Sequence, residues 1–168
     1  VTYSAGAAGG STMVPSDTMD YAAGANVTVS TMIPVWPGHT FTGWSGNQSV
    51  GAVASGGNFT MPAGDVILTA QWEKVQVNDW TPNLPVGTYG ENYYGSVSMD
   101  TSKTGPVTYS ASGLPGGLTM APNGVITGKP YEVGGNQTVT VTATSTADSS
   151  LSWTHEVEIT VSKAVPSL

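Results

Sequence analysis

Apolar and polar residues alternate along most of the chain, whereas the three-and-four spacing of an amphipathic helix is almost absent. In residues 65–74, the side chains of Val66, Leu68, Ala70 and Trp72 fall on one face of a predicted strand, and polar residues fall on the other. Similar patterns predict strands at residues 26–30, 40–45, 137–144 and 152–161. Turn-forming clusters such as WPGH, SGGN, MPAGD and APNG separate these segments. The sequence therefore predicts a mainly β protein.

The strongest candidate for a domain boundary lies near Lys74, where a strand gives way to a short polar stretch that contains proline. A chain of 168 residues has room for one large domain or two small ones. The two parts do not resemble each other, so a simple repeat is excluded. We predict two different modules, residues 1–74 and 75–163, with residues 164–168 beginning a linker to a following region.

The charge of the chain bears on its partners. The formal net charge is -7, and all four basic residues are lysines. Without arginine or a basic patch, the attraction that supports binding to nucleic acids and anionic membranes is missing. The chain has no cysteine, which excludes disulfides, thiolate metal sites and cysteine nucleophiles. We expect no nucleic-acid partner and no membrane contact, and we expect a monomer.

No stretch approaches about 18 consecutive apolar residues, the length expected of a membrane-spanning helix. The first ten residues lack the charged and apolar regions of a signal peptide. Because the chain starts at Val1 rather than at a methionine, we expect it to be a segment of a longer protein. Any export signal or anchor is then expected outside this segment.

Residues 1–74 carry the opening strand VTY, the segment YAAGANVTV, PGHTFTGWS with Gly43, and FTMPAGDVILTAQWE. On these residues the first module resembles the internalin B-repeat family, also called the Listeria-Bacteroides repeat. The resemblance implies a small β-grasp-like domain that occurs as an extracellular repeat in bacterial surface proteins. Phe41, Trp44 and Trp72 are the large apolar side chains that a module of this size needs for a core. The Gly/Ala-rich stretch SAGAAGGSTMVPSD departs from the family pattern.

The second module, from about residue 80 to residue 163, contains LPVGTYGENYYGSVS, VTYSASGLPGGLTMAPNGVITGKP, TVTVTAT and HEVEITV. On these segments it is similar to the He-PIG family of immunoglobulin-like, cadherin-like domains. The resemblance implies a β-sandwich, and about seven short strands at turn spacing also suit a sandwich on physical grounds. Where the family usually has Gly-Thr-Pro, this chain has Gly128, Lys129 and Pro130.

The stretch LPGGLTMAPNGVITGKP, residues 114–130, superficially suggests a phosphate-binding loop. A P-loop has four residues between its glycine and the Gly-Lys pair and then a Ser or Thr. Here only three residues separate Gly124 from Gly128, and Pro130 takes the hydroxyl position. We therefore predict a tight turn at Asn123 and Gly124 and a second change of direction at residues 128–130. The predicted core contacts of this stretch are Leu114, Leu118, Val125 and Ile126.

Catalytic candidates are few, and we predict that the chain is not an enzyme. The two histidines, His39 and His155, lie in different modules, and no Ser-His-Asp set can be assembled from the sequence. Glu156 and Glu158 share one strand face and could in principle act as an acid/base pair. A solvated outer face is the preferred interpretation of these two carboxylates, because strand faces alternate.

We expect no cofactor, because the acidic side chains of Asp79, Glu91, Asp100 and Asp148 are scattered. The alternative is a calcium ion at the module junction, held by linker carboxylates such as Glu73 and Asp79. An intramolecular isopeptide bond from Lys103 or Lys163 is a further alternative, although the sequence pairs neither lysine with an asparagine. N-glycosylation sequons occur at four asparagines, and in a bacterial chain we expect these asparagines to carry no glycan. They are Asn26, Asn47, Asn58 and Asn136.

Exposed aromatic side chains can stack on sugar rings. The aromatic residues that the strand pattern does not assign to a core are Trp36, Trp80, Tyr89, Tyr93 and Tyr94. They are candidates for a glycan site, but the ligand-binding residues stay unassigned.

Taken together, these features predict a non-catalytic extracellular module pair of a bacterial cell-surface protein. It would act as a stalk, a spacer or an adhesion segment with protein or glycan ligands. The alternative is a carbohydrate-binding accessory module of a secreted enzyme.

Overall fold

The computed structural model describes residues 1–164 and contains fourteen β-strands and one short 3-10 turn, Gly6–Ala8, in that range. The chain divides into two compact units, Val1–Val75 and a second that begins at Gln76. Within residues 1–164, no helix has the length and apolar character needed to cross a membrane. Apart from Ala164, the linker predicted at residues 164–168 lies outside the described residues.

The first unit contains two sheets. Its strands are β1 (Thr2–Ser4), β2 (Asn26–Thr28), β3 (His39–Gly46), β4 (Gly51–Val53), β5 (Asn58–Thr60) and β6 (Ile67–Lys74). Four of them form a sheet in the order β1-β6-β3-β4, in which β1 is parallel to β6 and the other pairs are antiparallel. Strands β2 and β5 form a separate antiparallel pair. The β-grasp arrangement implied by the family resemblance stays a prediction.

The core of the first unit follows from the alternation in β6 and the segment before it. Val66, Leu68 and Ala70 are buried on one face, as the sequence pattern predicts. Trp44 of β3 is also buried, and its ring meets that of Tyr3 edge to face, with centroids 4.9 Å apart. The remaining buried members are Val27, Val29, Phe59 and Met61, and the rings packed against them are Tyr21, Phe41 and Trp72.

The second unit is an immunoglobulin-like sandwich of two four-stranded sheets. Its strands are β7 (Trp80–Asn83), β8 (Gly87–Thr88), β9 (Tyr93–Met99), β10 (Val107–Ser112), β11 (Leu118–Met120), β12 (Val125–Gly128), β13 (Gly134–Ser145) and β14 (Ser152–Ser162). One sheet has the order β10-β13-β14-β8 and the other β11-β12-β9-β7. The mainly β class and the sandwich are as predicted.

The sandwich core is built from alternate residues of both sheets. Ile126 and Val97 belong to one sheet, and Val139 and Ile159 belong to the other. A second buried cluster contains Met99, Ala143, Leu151 and Trp153. Alternation therefore buries one face of each sheet and leaves the other face to solvent.

Residues 114–130 form part of this scaffold. Leu118 and Ile126 are buried and Leu114 packs partly buried against the core, as predicted. The core assignment of Val125 is wrong, because it directly precedes Ile126 on β12 and adjacent strand residues face opposite sides.

The turn predicted at Asn123 and Gly124 is confirmed. The Gly124 N–H donates to the Ala121 carbonyl at 2.9 Å, and the Ala121 N–H donates to the Val125 carbonyl at 2.7 Å. Gly124 has φ +85°, which L side chains rarely adopt, and a Cβ there would overlap the carbonyl oxygen of Val97. The glycine is therefore needed to join β11 to β12 against β9.

Candidate functional site

A cleft of about 380 Å³ opens beside β6 in the first unit, and we call it the aromatic cleft. Strand β1 pairs only with residues 67–69 of β6, and the chain then turns away at Gly6–Ala8. The cleft occupies the space beside the unpaired part of β6. It is lined by Gly6, Ala7, Trp36, His39, Thr69, Ala70, Gln71, Trp72 and Lys74.

Three rings form the apolar part of the aromatic cleft. Trp36 stacks on His39 with ring centroids 3.5 Å apart and planes 13° apart. Trp36 also meets Trp72 edge to face, at 5.5 Å and 85°. The indole Nε1 of Trp72 donates to the Ala5 carbonyl at 2.9 Å. Trp36 and Trp72 are therefore each held by two contacts within the fold.

Glycine is required in the wall of the aromatic cleft. Gly6 has φ +60°, and a Cβ at this position would lie 2.7 Å from the carbonyl oxygen of Ala70. Only glycine allows the turn to approach β6 this closely without strain. The small residues that depart from the family pattern near the start of the chain therefore shape the cleft.

Polar and charged side chains complete the lining. The Gln71 amide nitrogen donates to the Thr69 carbonyl at 3.1 Å, which orients the amide group. Lys74 and His39 are the only lysine and the only histidine of residues 1–75, and both line the aromatic cleft. Among the described residues 1–164, no Asp or Glu lines the cleft. The acidic residues of the first unit are Asp17, Asp20, Asp65 and Glu73.

The structure separates the five aromatic candidates. Trp36 lines the cleft, and Tyr89 and Tyr94 are exposed in the second unit. The prediction that Tyr93 and Trp80 lie outside the core, as candidates for a glycan site, is wrong. Tyr93 is only 5% exposed within the sandwich core, and Trp80 packs partly buried against the same core and stacks on His155 at 5.2 Å.

The Tyr93 hydroxyl is a buried polar atom without a hydrogen-bond partner among the described residues. Burial raises the pKa of Tyr93 above its ordinary value, because the phenolate would lose its hydration. The sequence reasoning missed this core tyrosine, although the alternation of Tyr93, Gly95, Val97 and Met99 could have identified it.

The remaining titratable candidates occupy structural positions. Glu156 and Glu158 are exposed on the outer face of β14, and Glu158 accepts a hydrogen bond from the Asn136 amide at 2.9 Å. Within residues 1–164, no three His, Asp or Glu side chains are grouped as a metal site would require. Asp100 accepts hydrogen bonds from the Ser102 N–H and hydroxyl, both at 2.9 Å, and these bonds lower the pKa of Asp100.

Three sequon asparagines also make side-chain hydrogen bonds within the fold. The side-chain nitrogen of Asn47 donates to the Asp65 carbonyl at 3.2 Å, and its side-chain oxygen accepts from the Ile67 N–H at 2.8 Å. Asn58 accepts from the Thr28 hydroxyl at 2.7 Å. Asn136 additionally accepts from the Thr160 hydroxyl at 2.6 Å. These side chains tie together segments that are distant in sequence.

Comparison with known proteins agrees with this two-part architecture. Residues 74–162 match the family model He-PIG, described as a putative Ig domain. Residues 1–76 match the family model described as a divergent InlB B-repeat domain. No curated protein matches the chain. Both families typically occur in extracellular or surface proteins and suggest a non-catalytic cell-surface module. The chain therefore belongs to the He-PIG immunoglobulin-like family through residues 74–162, and its first part is similar to the divergent InlB B-repeat domain.

Proposed function

We propose that the chain is a non-catalytic pair of extracellular modules in a bacterial cell-surface protein, and that it serves as a stalk that bears tension. The observation that carries this proposal is the parallel pairing of the last strand of each unit with a strand from near the start of that unit. In the first unit, the first strand, β1, lies parallel to the last strand, β6, over Thr2–Ser4. In the second unit, β8 lies parallel to the last strand, β14.

Parallel pairing of the first and last strands determines how the first unit resists stretching. When the two chain ends are pulled apart, parallel first and last strands slide along each other. All hydrogen bonds between them are then loaded together, whereas antiparallel terminal strands would open one bond at a time. The Thr2 N–H adds a hydrogen bond to the Val66 carbonyl at 2.9 Å, which extends the loaded contact in the first unit.

Single-molecule stretching of the chain between its termini tests the stalk proposal. Unfolding a unit of about 75 residues releases about 25 nm of chain, at roughly 3.4 Å per residue. We expect two separate events, because each unit has its own core. A chain that extends without force peaks would contradict the tension-bearing role.

The second candidate function is saccharide binding, as in a carbohydrate-binding accessory module. The ring surface at Trp36 and Trp72 favours it, because sugar rings pack their C–H groups against aromatic faces. A glycan array compares the wild-type chain with Trp36→Ala and Tyr94→Ala. We expect binding that is lost in the first variant; loss only in the second would move the site to the sandwich.

A further inference from the structure

We propose that one edge of β14 in the second unit binds a β-strand of another protein, a segment in which lysine or arginine alternates with apolar residues. We call this edge, formed by residues 154–160 on the side away from β13, the β14 edge. The proposal adds a contact surface to the stalk role, and it does not depend on saccharide binding at the aromatic cleft.

Strand β14 is paired along most of its length on one side only. It pairs with β13 from Ser152 to Val161, whereas β8 covers its other side only at Val161 and Ser162. In the part of the chain that the structure describes, no strand pairs with the β8 side of residues 154–160. A sheet edge of this kind can accept a further strand through backbone hydrogen bonds.

The direction of the backbone groups along the β14 edge follows from one hydrogen bond. The Ser162 carbonyl accepts from the Tyr89 N–H at 2.9 Å, so the backbone groups of Ser162 point to the β8 side. Successive residues of a strand direct these groups to opposite sides. The even-numbered residues of the β14 edge therefore direct their N–H and C=O groups away from β13. They are Thr154, Glu156, Glu158 and Thr160.

The other edges of the sandwich are protected in ways that the β14 edge is not. In the same sheet, the Tyr109 N–H of β10 already donates to the Pro122 carbonyl at 2.8 Å. In the other sheet, β7 contains Pro82, which has no N–H, and β11 has only three residues. Prolines and short strands hinder edge pairing. Within the described residues of the second unit, the β14 edge is therefore the best place to add a strand.

Charge on the β14 edge determines the class of partner. Glu156 and Glu158 are the only Asp, Glu, Lys or Arg residues in strands β8, β10, β13 and β14, and both are exposed. The Asn136 amide that bonds to Glu158 is neutral and leaves its charge in place. Opposite charges on neighbouring strands stabilise a sheet. A strand with lysine or arginine at alternate positions therefore complements the two glutamates.

The inner side of an added strand would meet apolar groups. The Trp80 ring, on β7 of the opposite sheet, stacks on His155 of the β14 edge at 5.2 Å. Val86, directly before β8, is 66% exposed. Apolar side chains at the inward positions of the partner strand would pack against this surface. The partner is therefore expected to alternate basic and apolar residues.

A second copy of this chain fits the β14 edge poorly. Two copies paired antiparallel over residues 154–160 would place each Glu156 opposite a Glu158, and like charges directly opposite are destabilising. No two of the four lysines lie two positions apart, so no segment of the chain supplies the alternating pattern. The net charge of -7 repels a second copy and attracts a basic partner. The occupant is therefore a different protein.

The test is an NMR titration of the isotope-labelled full chain with a short capped peptide in which lysine alternates with valine. Amide hydrogen exchange is measured residue by residue. In the free chain, we expect the amides of Glu156 and Glu158 to exchange faster than that of Val157, because only Val157 bonds to β13. On binding, the two glutamate amides should slow at least about tenfold, with no such change at Val157. Attraction between charges alone does not produce this alternation.

Two matched peptides separate strand pairing from charge. The first keeps the lysines but carries N-methyl groups on the amides that would face β14, so its charge is retained and its pairing is blocked. The second has glutamate in place of lysine. We expect neither peptide to slow exchange at Glu156 and Glu158. The affinity of the lysine peptide should fall as salt rises.

Substitutions then locate the binding. Glu156→Gln and Glu158→Gln should each weaken binding of the lysine peptide about two- to fivefold, the size expected for a cross-strand charge pair. Glu73→Gln removes the same charge from an exposed strand position of the first unit and is the matched control. A thermal melt of each variant checks that it is folded.

Each opposing result has its own meaning. Unchanged exchange at Glu156 and Glu158 with the lysine peptide would overturn the proposal. Equal binding of the N-methylated peptide would overturn strand addition, and equal binding of the glutamate peptide would overturn the basic partner. Unchanged binding to both glutamine variants would overturn the location. Slowed exchange in the chain alone at high concentration, with dimers in ultracentrifugation, would make a second copy the occupant.

Discussion

At the scale of single residues, glycines explain the stretch that first suggested a phosphate site. Gly124 closes the turn between β11 and β12, and its position against Val97 has no room for a side chain. The turn was predictable because Asn-Gly is a strong local signal. The contact with Val97 was not predictable from the sequence, because it joins residues that lie 27 positions apart in the chain.

Gly124→Ala should lower the free energy of unfolding of the second unit by about 1–3 kcal/mol. Alanine is strained at the positive φ of this position, and its Cβ would overlap the Val97 carbonyl oxygen. Gly135→Ala is the control, since a Cβ at Gly135 would have no atom within 4 Å. Chemical denaturation of both variants measures the difference. Equal stability of the two would show that the backbone at Gly124 can move aside.

Asp100 provides a residue-scale prediction about pH. Its pKa is lowered chiefly by the Ser102 N–H and hydroxyl bonds, so this stabilisation is present above the pKa of the unfolded state. It is lost as the pH falls through the lower pKa of the folded state. Ser102→Ala should raise the pKa of Asp100, as followed by NMR titration of its carboxyl group. Ser150→Ala, which removes a similar bond to Asp148, should leave Asp100 unchanged.

At the scale of elements, alternation predicted which strands exist better than it predicted where exposed aromatic residues lie. The predicted strand at residues 152–161 corresponds to β14, and its buried and exposed faces follow the pattern. Tyr93 and Tyr94 are adjacent on β9, so one must be inside and one outside, and the alternation with Gly95 and Val97 places Tyr93 inside. The aromatic cleft was not predictable, because Trp36 lies in a segment without regular structure and meets Trp72 only through the tertiary fold.

Strand pairing gives the element-scale prediction. Thr2→Pro removes the N–H that bonds to the Val66 carbonyl, at the first residue of β1 where proline is tolerated. We expect a loss of about 1 kcal/mol in stability and a clearly lower unfolding force for the first unit. Asn26→Pro, at the first residue of β2, lies outside the β1–β6 pair and is the control. If both variants lower the force equally, the terminal strands are not the part that resists stretching.

At the scale of the whole molecule, two separate cores account for the two compact units. Leu68 is fully buried in the first core and Ile126 in the second. The sequence indicated a change of composition near Lys74, and the resemblances indicated two different families. The sequence could not indicate that β1 pairs in parallel with β6 and β8 with β14, because that depends on which strands lie beside the last strand in each sheet.

The separate cores predict that each unit responds to its own substitutions. Leu68→Ala should destabilise the first unit by about 2–5 kcal/mol, and Ile126→Val should destabilise the second by about 0.5–1.5 kcal/mol. Hydrogen exchange measured on peptides from residues 1–75 and 76–164 distinguishes the two. We expect faster exchange only in the unit that carries the substitution, because no residue of one core cluster belongs to the other. Faster exchange in both units after Leu68→Ala would show that they unfold together, and the stalk would then yield in one step rather than two.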